Sequence, residues 1–178
     1  SSQSVSIPLV ANLDDDNGDG KVNELDFPEI IFLTFAGHRY KNHGILRAVH
    51  AGGPKKGQDM FATCQQQTWH EGDPLPDESL CLGNLRPSTA MAIGDLHDPA
   101  HTDSRPEIVA ITDDNKLTFY NNMGTHLYTY PRKQPWKANY DATPSLANLD
   151  NKGMAEVIVG DAVFVLELDD SGYIRVRD

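Results

Sequence analysis

Apolar residues in this chain come in short runs, each cut off by Pro, Gly or an Asn/Asp-rich stretch, and none recurs at the spacing of an amphipathic helix. Eleven prolines and fourteen glycines supply the punctuation, which suits short strands joined by turns. Three segments share one pattern. The first is Pro8-Leu9-Val10-Ala11-Asn12-Leu13-Asp14, an acidic loop, then Pro28-Glu29-Ile30-Ile31-Phe32-Leu33-Thr34. The second is Ala90-Met91-Ala92-Ile93-Gly94-Asp95-Leu96, a loop, then Pro106-Glu107-Ile108-Val109-Ala110-Ile111-Thr112. The third is Pro144-Ser145-Leu146-Ala147-Asn148-Leu149-Asp150, a shorter loop, then Ala155-Glu156-Val157-Ile158-Val159-Gly160. Each predicts a short strand, an Asn/Asp-rich turn, and a β-branched strand opened by Pro-Glu or Ala-Glu. The second strands are almost wholly apolar, as strands covered on both faces should be.

Further strand pairs follow each segment. Lys116–Tyr120 and His126–Tyr130 flank an Asn121-Asn122-Met123-Gly124 turn, and Ala162–Leu168 and Tyr173–Val176 flank Asp169-Asp170-Ser171-Gly172. Both predict hairpins. Ile45–Val49 and Met60–Thr63 take the same place after the first segment. The expected fold class is all-β, with about three four-stranded antiparallel sheets in a single segment over residues 1–178. The approximate repeat units are 5–85, 86–140 and 141–178, the last incomplete. Four short strands per repeat is the signature of a β-propeller blade.

The loop of the first repeat carries the clearest chemistry. Asp15, Asn17, Asp19, Lys21, Asn23 and Asp26 fall at positions 1, 3, 5, 7, 9 and 12 of a twelve-residue run with Gly20 at position 6, the spacing of an EF-hand-type calcium loop. Calcium takes hard oxygen donors, and alternate residues of a tight loop can aim theirs inward. Asp15, Asn17, Asp19 and Asp26 would give side-chain oxygens, Lys21 its carbonyl, and Asn23 a direct or water-mediated contact. Starting at Asp14 instead puts Gly18 at position 5 and loses a ligand. Without a cation, carboxylates ~5 Å apart repel by roughly 3 kcal/mol per pair at an effective dielectric of about 20. The expected cofactor is therefore Ca2+.

The Asn-Leu-Asp turn, the calcium loop and the Pro-Glu-Ile-Ile strand resemble FG-GAP/VCBS-type repeats, the blades of integrin-like propellers, over roughly residues 5–178. That resemblance implies a calcium loop between strands of a blade that stiffens the scaffold. It also implies a secreted or cell-surface structural and recognition module for a glycan or protein ligand. Only the first repeat matches the ligand pattern. Asp95, Asp98 and Asp103 in the second lack the alternating spacing and the Gly. Asn148, Asp150 and Asn151 in the third sit in a turn too short to encircle an ion. Side-chain-to-backbone hydrogen bonds are expected there in place of metal. Propellers close with four to eight blades, so three units predict a larger propeller completed by further blades or another chain. The loop also matches a dockerin calcium segment, but Pro28 and Ile30-Ile31-Phe32 oppose the helix a dockerin requires, and no second copy is present.

A formal net charge of −11 argues against nucleic-acid or anionic-membrane partners, and no apolar run is long enough for a membrane span. The polar start, Ser1-Ser2-Gln3-Ser4-Val5-Ser6, has no leader-like pattern and reads as mature protein or an internal piece of a longer one. Cys64 and Cys81 suit one disulfide closing a surface loop, with two free thiols as the alternative. No nucleophile, phosphate-loop or dinucleotide motif is present, so no catalytic residue is assigned. The other reading is part of a polysaccharide-active lyase or hydrolase. His97-Asp98-Pro99-Ala100-His101 has a metal-like spacing, but Pro99 precludes the helix that would align it; His38, His43, His50, His70 and His126 are placed among turns. Trp69, Trp136, Tyr140 and Tyr40 lie in loop-like stretches where a ring could stack on a sugar or pack between blades. Residues 64–81 are the expected binding surface.

Overall fold

A computed structural model of the protein describes residues 2–36, 42–63, 85–96, 105–131 and 142–177. Every regular element among them is a β-strand, and no helix among them is long and apolar enough to cross a membrane. The fourteen strands are β1 (Ser2–Gln3), β2 (Leu9–Ala11), β3 (Glu29–Ala36), β4 (Ile45–His50), β5 (Asp59–Ala62), β6 (Ala92–Gly94), β7 (Glu107–Ile111), β8 (Leu117–Tyr120), β9 (His126–Thr129), β10 (Pro144–Ala147), β11 (Glu156–Val159), β12 (Ala162–Phe164), β13 (Leu166–Leu168) and β14 (Ile174–Val176).

They form three successive antiparallel meanders. In the first, β1 and β2 both pair with β3, which pairs with β4 and then β5. The pairing shifts from Gln3↔Phe35 to Leu9↔Ile31, so β1 and β2 act as one edge strand interrupted by a two-residue slip. The second meander is β6-β7-β8-β9. In the third, β10-β11-β12 is followed by the β13-β14 pair. There Val165 divides one expected strand in two, and its carbonyl accepts the Arg177 N–H at 2.9 Å. The four-stranded sheet expected of each repeat is found as such in the second unit; the first has five strands, and the third is divided into a three-stranded and a two-stranded sheet.

Strand periodicity decides the packing, because successive side chains point to opposite faces. Counting from the glutamate that opens each second strand, the residues two and four further on face the next unit. Ile31 and Leu33 of β3 meet Ile108, Ala110 and Tyr120 of the second unit, with Leu13, Leu46, Ala48, Leu85 and Met91 completing that core. Val109 and Ile111 of β7 meet Val157 and Val159 of the third, with Leu96, Leu117, Phe119, Phe164 and Ile174. The middle sheet is thus buried on both faces, which explains why its second strand shows no polar alternation. Main-chain pairing reinforces the first junction, since Leu85 bridges both Gly44 and Thr112.

The first strands of successive units are neighbours. An open cleft of about 370 Å³ runs between them, lined by Leu9–Ala11, Met91–Ile93 and Pro144–Leu146. On the outer faces of the first and third units, Val10 is 66% and Val163 54% exposed.

Candidate metal centre

The acidic loop joins β2 to β3 and is curled by its own side chains. Asp15 Oδ1 accepts the N–H groups of Gly18 and Asp19 at 2.8 and 3.0 Å, and its Oδ2 accepts that of Gly20 at 2.7 Å. Asn17 Oδ1 accepts from Asp19 and Asp19 Oδ1 from Lys21, both at 2.9 Å. These are aspartate and asparagine turns. Asp26 is buried and closes the loop, accepting the N–H of Asn23 at 2.8 Å. The Asn12 amide donates to the Asn23 carbonyl. Gly20 has φ +87°, a conformation costly for residues with a Cβ. Position 6 of the loop is where the sequence pattern requires it.

The loop fits calcium in donor chemistry and backbone shape, since Asp15, Asn17, Asp19, Asn23, Asp26 and the Lys21 carbonyl offer only oxygens. In side-chain spacing it is open: Asp15, Asp19 and Asp26 do not gather within 4.8 Å of one another. An ion would have to draw these carboxylates inward. Asp15 Oδ1 accepts two N–H groups, but Asp15 Oδ2, Asp19 Oδ1 and Asp26 Oδ2 each accept one backbone N–H and keep a second lone pair, so those backbone bonds could persist around a cation. In the third repeat, Asn148 and Asp150 accept the Lys152 N–H at 3.0 and 2.9 Å, the side-chain-to-backbone pattern expected there.

A second feature links all three turns. Glu29, Glu107 and Glu156 are buried, and each accepts the N–H of the turn leucine, Leu13, Leu96 and Leu149 respectively, at 2.8 Å. The recurring glutamate, visible in the sequence only as the residue opening a strand, is a latch that fixes the turn to the second strand. A buried backbone N–H needs such an acceptor.

In the first unit the latch has two additional neighbours. Glu29 and His50 are register partners on β3 and β4, and His50 Nδ1 lies 3.0 Å from Glu29 Oε1. Asp14 approaches from the turn, and ligand atoms of Asp14, Glu29 and His50 lie within 4.8 Å of one another. Asp14 Oδ2 is 3.4 Å from Lys55 Nζ, while its Oδ1 is buried without a hydrogen-bond partner. Burial pushes the Glu29 carboxyl above the usual glutamate value; the Leu13 N–H and His50 pull against that rise, and the Asp14 charge adds to it.

His50 is therefore no turn residue. It ends β4, and the alternation that buries Leu46 and Ala48 buries it too. His126 likewise opens β9. The sequence expectation for these two histidines is corrected by strand period, a signal available within residues 46–50. Residues 64–81, with Cys64, Cys81, Trp69 and His70, lie outside the described residues, as do Tyr40, His38, His97, Asp98, His101, Asp103, Trp136 and Tyr140. Asp95 is described.

The chain is thus an all-β protein of small antiparallel sheets. No protein-family model and no curated protein sequence matches it. Among solved structures it is similar to the V. cholerae biofilm matrix protein Bap1, with a TM-score of 0.65 and 21% sequence identity. The match covers 98% of this chain and 28% of the Bap1 chain, so the protein spans less than a third of that structure's length. At that identity the similarity establishes fold alone.

Proposed function

We propose that the chain forms three consecutive blades of a larger, FG-GAP/VCBS-like β-propeller that binds calcium and works outside the cell as a structural and recognition module. The carrying observation is the equivalence of faces. The side of each second strand that packs on the next unit is the same in the first and second repeats, as it would be around a propeller axis. The third unit carries that side too, with Ile158 half-buried and Val163 and Leu149 exposed. Another unit, in the same chain or another, would cover it. Neighbouring first strands around a shared cleft agree with such an axis. The biofilm-matrix setting of Bap1 supports an extracellular place, where millimolar calcium saturates modest loops. The ligand would be a glycan or a protein.

Calcium in this reading stiffens the first blade by relieving repulsion within Asp15–Asp26. An extracellular-type loop with Kd of about 10⁻⁴ M in about 10 mM calcium gains roughly 2.7 kcal/mol of folding stability by mass action. Removing calcium with a chelator should lower Tm by about 5–10 °C for a chain of this size. Asp19→Ala should give the lower Tm with calcium present and lose the response to chelator. Identical melting curves with and without chelator would exclude the stiffening role.

A further inference from the structure

We propose that Asp14, Glu29 and His50 form a second metal site, selective for a borderline divalent transition metal such as Zn2+ and distinct from the calcium loop they bracket. The donor set is two carboxylate oxygens and one imidazole nitrogen. Calcium and magnesium favour oxygen-only shells, whereas zinc takes mixed His and carboxylate sets. Glu29 Oε2 is committed to the Leu13 N–H, which fixes the carboxylate and leaves Oε1 for an ion. That atom already sits 3.0 Å from His50 Nδ1, and the β3–β4 ladder holds both residues in register.

Asp14 supplies the observation that a structural ion pair does not explain. Its Oδ1 is shut away from solvent and has no hydrogen-bond donor, although the side chain as a whole is 20% exposed. Buried polar atoms without partners are uncommon and point to an ion or water that completes them. Tetrahedral zinc with bonds of about 2.1 Å sets its ligands about 3.4 Å apart. The three atoms, within 4.8 Å of one another, therefore need shifts of under an ångström each to converge.

The latch itself does not require this cluster. Glu107 and Glu156 hold Leu96 and Leu149 in the same way, yet no such trio surrounds either among the described residues. Asp150 follows Leu149 as Asp14 follows Leu13, so it is the histidine opposite the latch, His50, that the first repeat adds. Three protein donors leave a fourth coordination position. Lys55 lies beside Asp14, and its side chain is 54% exposed and can swing away. Asp14 immediately precedes the calcium loop and Glu29 follows it by three residues, so an ion held between them would clamp the neck of that loop.

The test uses the whole chain, kept in about 5 mM calcium so that failure of this site is not confused with failure of the loop. Zinc chloride is titrated by calorimetry at pH 7.5, and the His50 ring nitrogens are followed by long-range ¹H–¹⁵N correlation. The expected result is one tight equivalent with the His50 Nδ1 resonance shifted on binding. Asp14→Asn and His50→Gln should each weaken zinc affinity by about tenfold or more, while His126→Gln leaves it unchanged. Far-UV circular dichroism checks that each variant keeps its strands, and Asp14→Asn, at a partly exposed position, decides the matter if His50→Gln unfolds. Absence of a tight equivalent, zinc affinity unchanged in Asp14→Asn, or a His50 resonance that does not move overturns the site.

Discussion

The turns leading into β7 and β11 start from one bond and end in different surroundings. Leu96 and Leu149 each donate a backbone N–H to a buried glutamate at 2.8 Å. Leu96 is fully buried between the second and third units, whereas Leu149 is 57% exposed. The latch therefore belongs to the single unit and forms whether or not a neighbour covers it. Burial of the leucine side chain belongs to the pair of units, because the apolar surface needs a second sheet to leave water. The first repeat adds a third layer to this comparison. Leu13 is latched and buried, its carbonyl accepts the Asn122 amide across the unit boundary at 2.7 Å, and charged groups gather beside it.

Truncating the two leucines separates the layers most widely. Leu96→Ala should destabilise the chain by about 2–5 kcal/mol in urea unfolding, the range for a buried leucine leaving a cavity. Leu149→Ala should stay within about 0.5 kcal/mol, as at exposed sites. Equal costs would mean that Leu149 is covered in solution, and a concentration dependence of its effect would identify a second copy as the cover.

Removing the latches gives a smaller contrast. Glu107→Ala strands the Leu96 N–H in a dry site and should cost about 1–3 kcal/mol. Glu156→Ala should cost less than about 1 kcal/mol, since water can reach the Leu149 N–H and replace the lost acceptor. If both cost the same, the third turn is as dry as the second and the distinction fails.

The smallest effect lies at the edge of the third unit. Asp169 accepts the N–H groups of Tyr173 and Ser171 at 3.0 Å and pairs with Arg175 at 2.7 Å. The Tyr173 N–H first, then that of Ser171 and the Arg175 charge, hold its carboxyl below the usual aspartate value. A depressed folded pKa means the hairpin gains stability above the ordinary value of about 3.9 and loses it as pH falls through the folded pKa. An NMR titration of the Asp169 carboxyl should show a midpoint below that ordinary value, and Asp169→Asn should remove this part of the acid sensitivity. A midpoint at the ordinary value would show that the turn bonds do not persist in solution.

Much of the scaffold was legible because strand signals are local. β-branched runs bounded by Asn, Asp and Gly marked β3, β7 and β11, and both hairpins fell where the turn chemistry put them. The slip between β1 and β2, and the break at Val165, were not legible, since they depend on pairing with a partner strand. The glycine bend of the loop was readable at Gly20, because position and residue type suffice. The glutamate latch was visible only as a recurrence; its acceptor role requires knowing that the turn folds back onto the strand.

The sequence by itself determined the class of structure, the threefold repeat, and a loop whose oxygen donors suit a hard cation. These follow from periodicity and spacing over a few residues. Tertiary structure alone decided which face of each strand meets which neighbour and that Leu149 stays in water. It also decided that Asp14, left out of the calcium register, meets Glu29 and His50. The reason is distance along the chain: 36 residues separate Asp14 from His50, and only the β3–β4 ladder and the curled turn bring their side chains together.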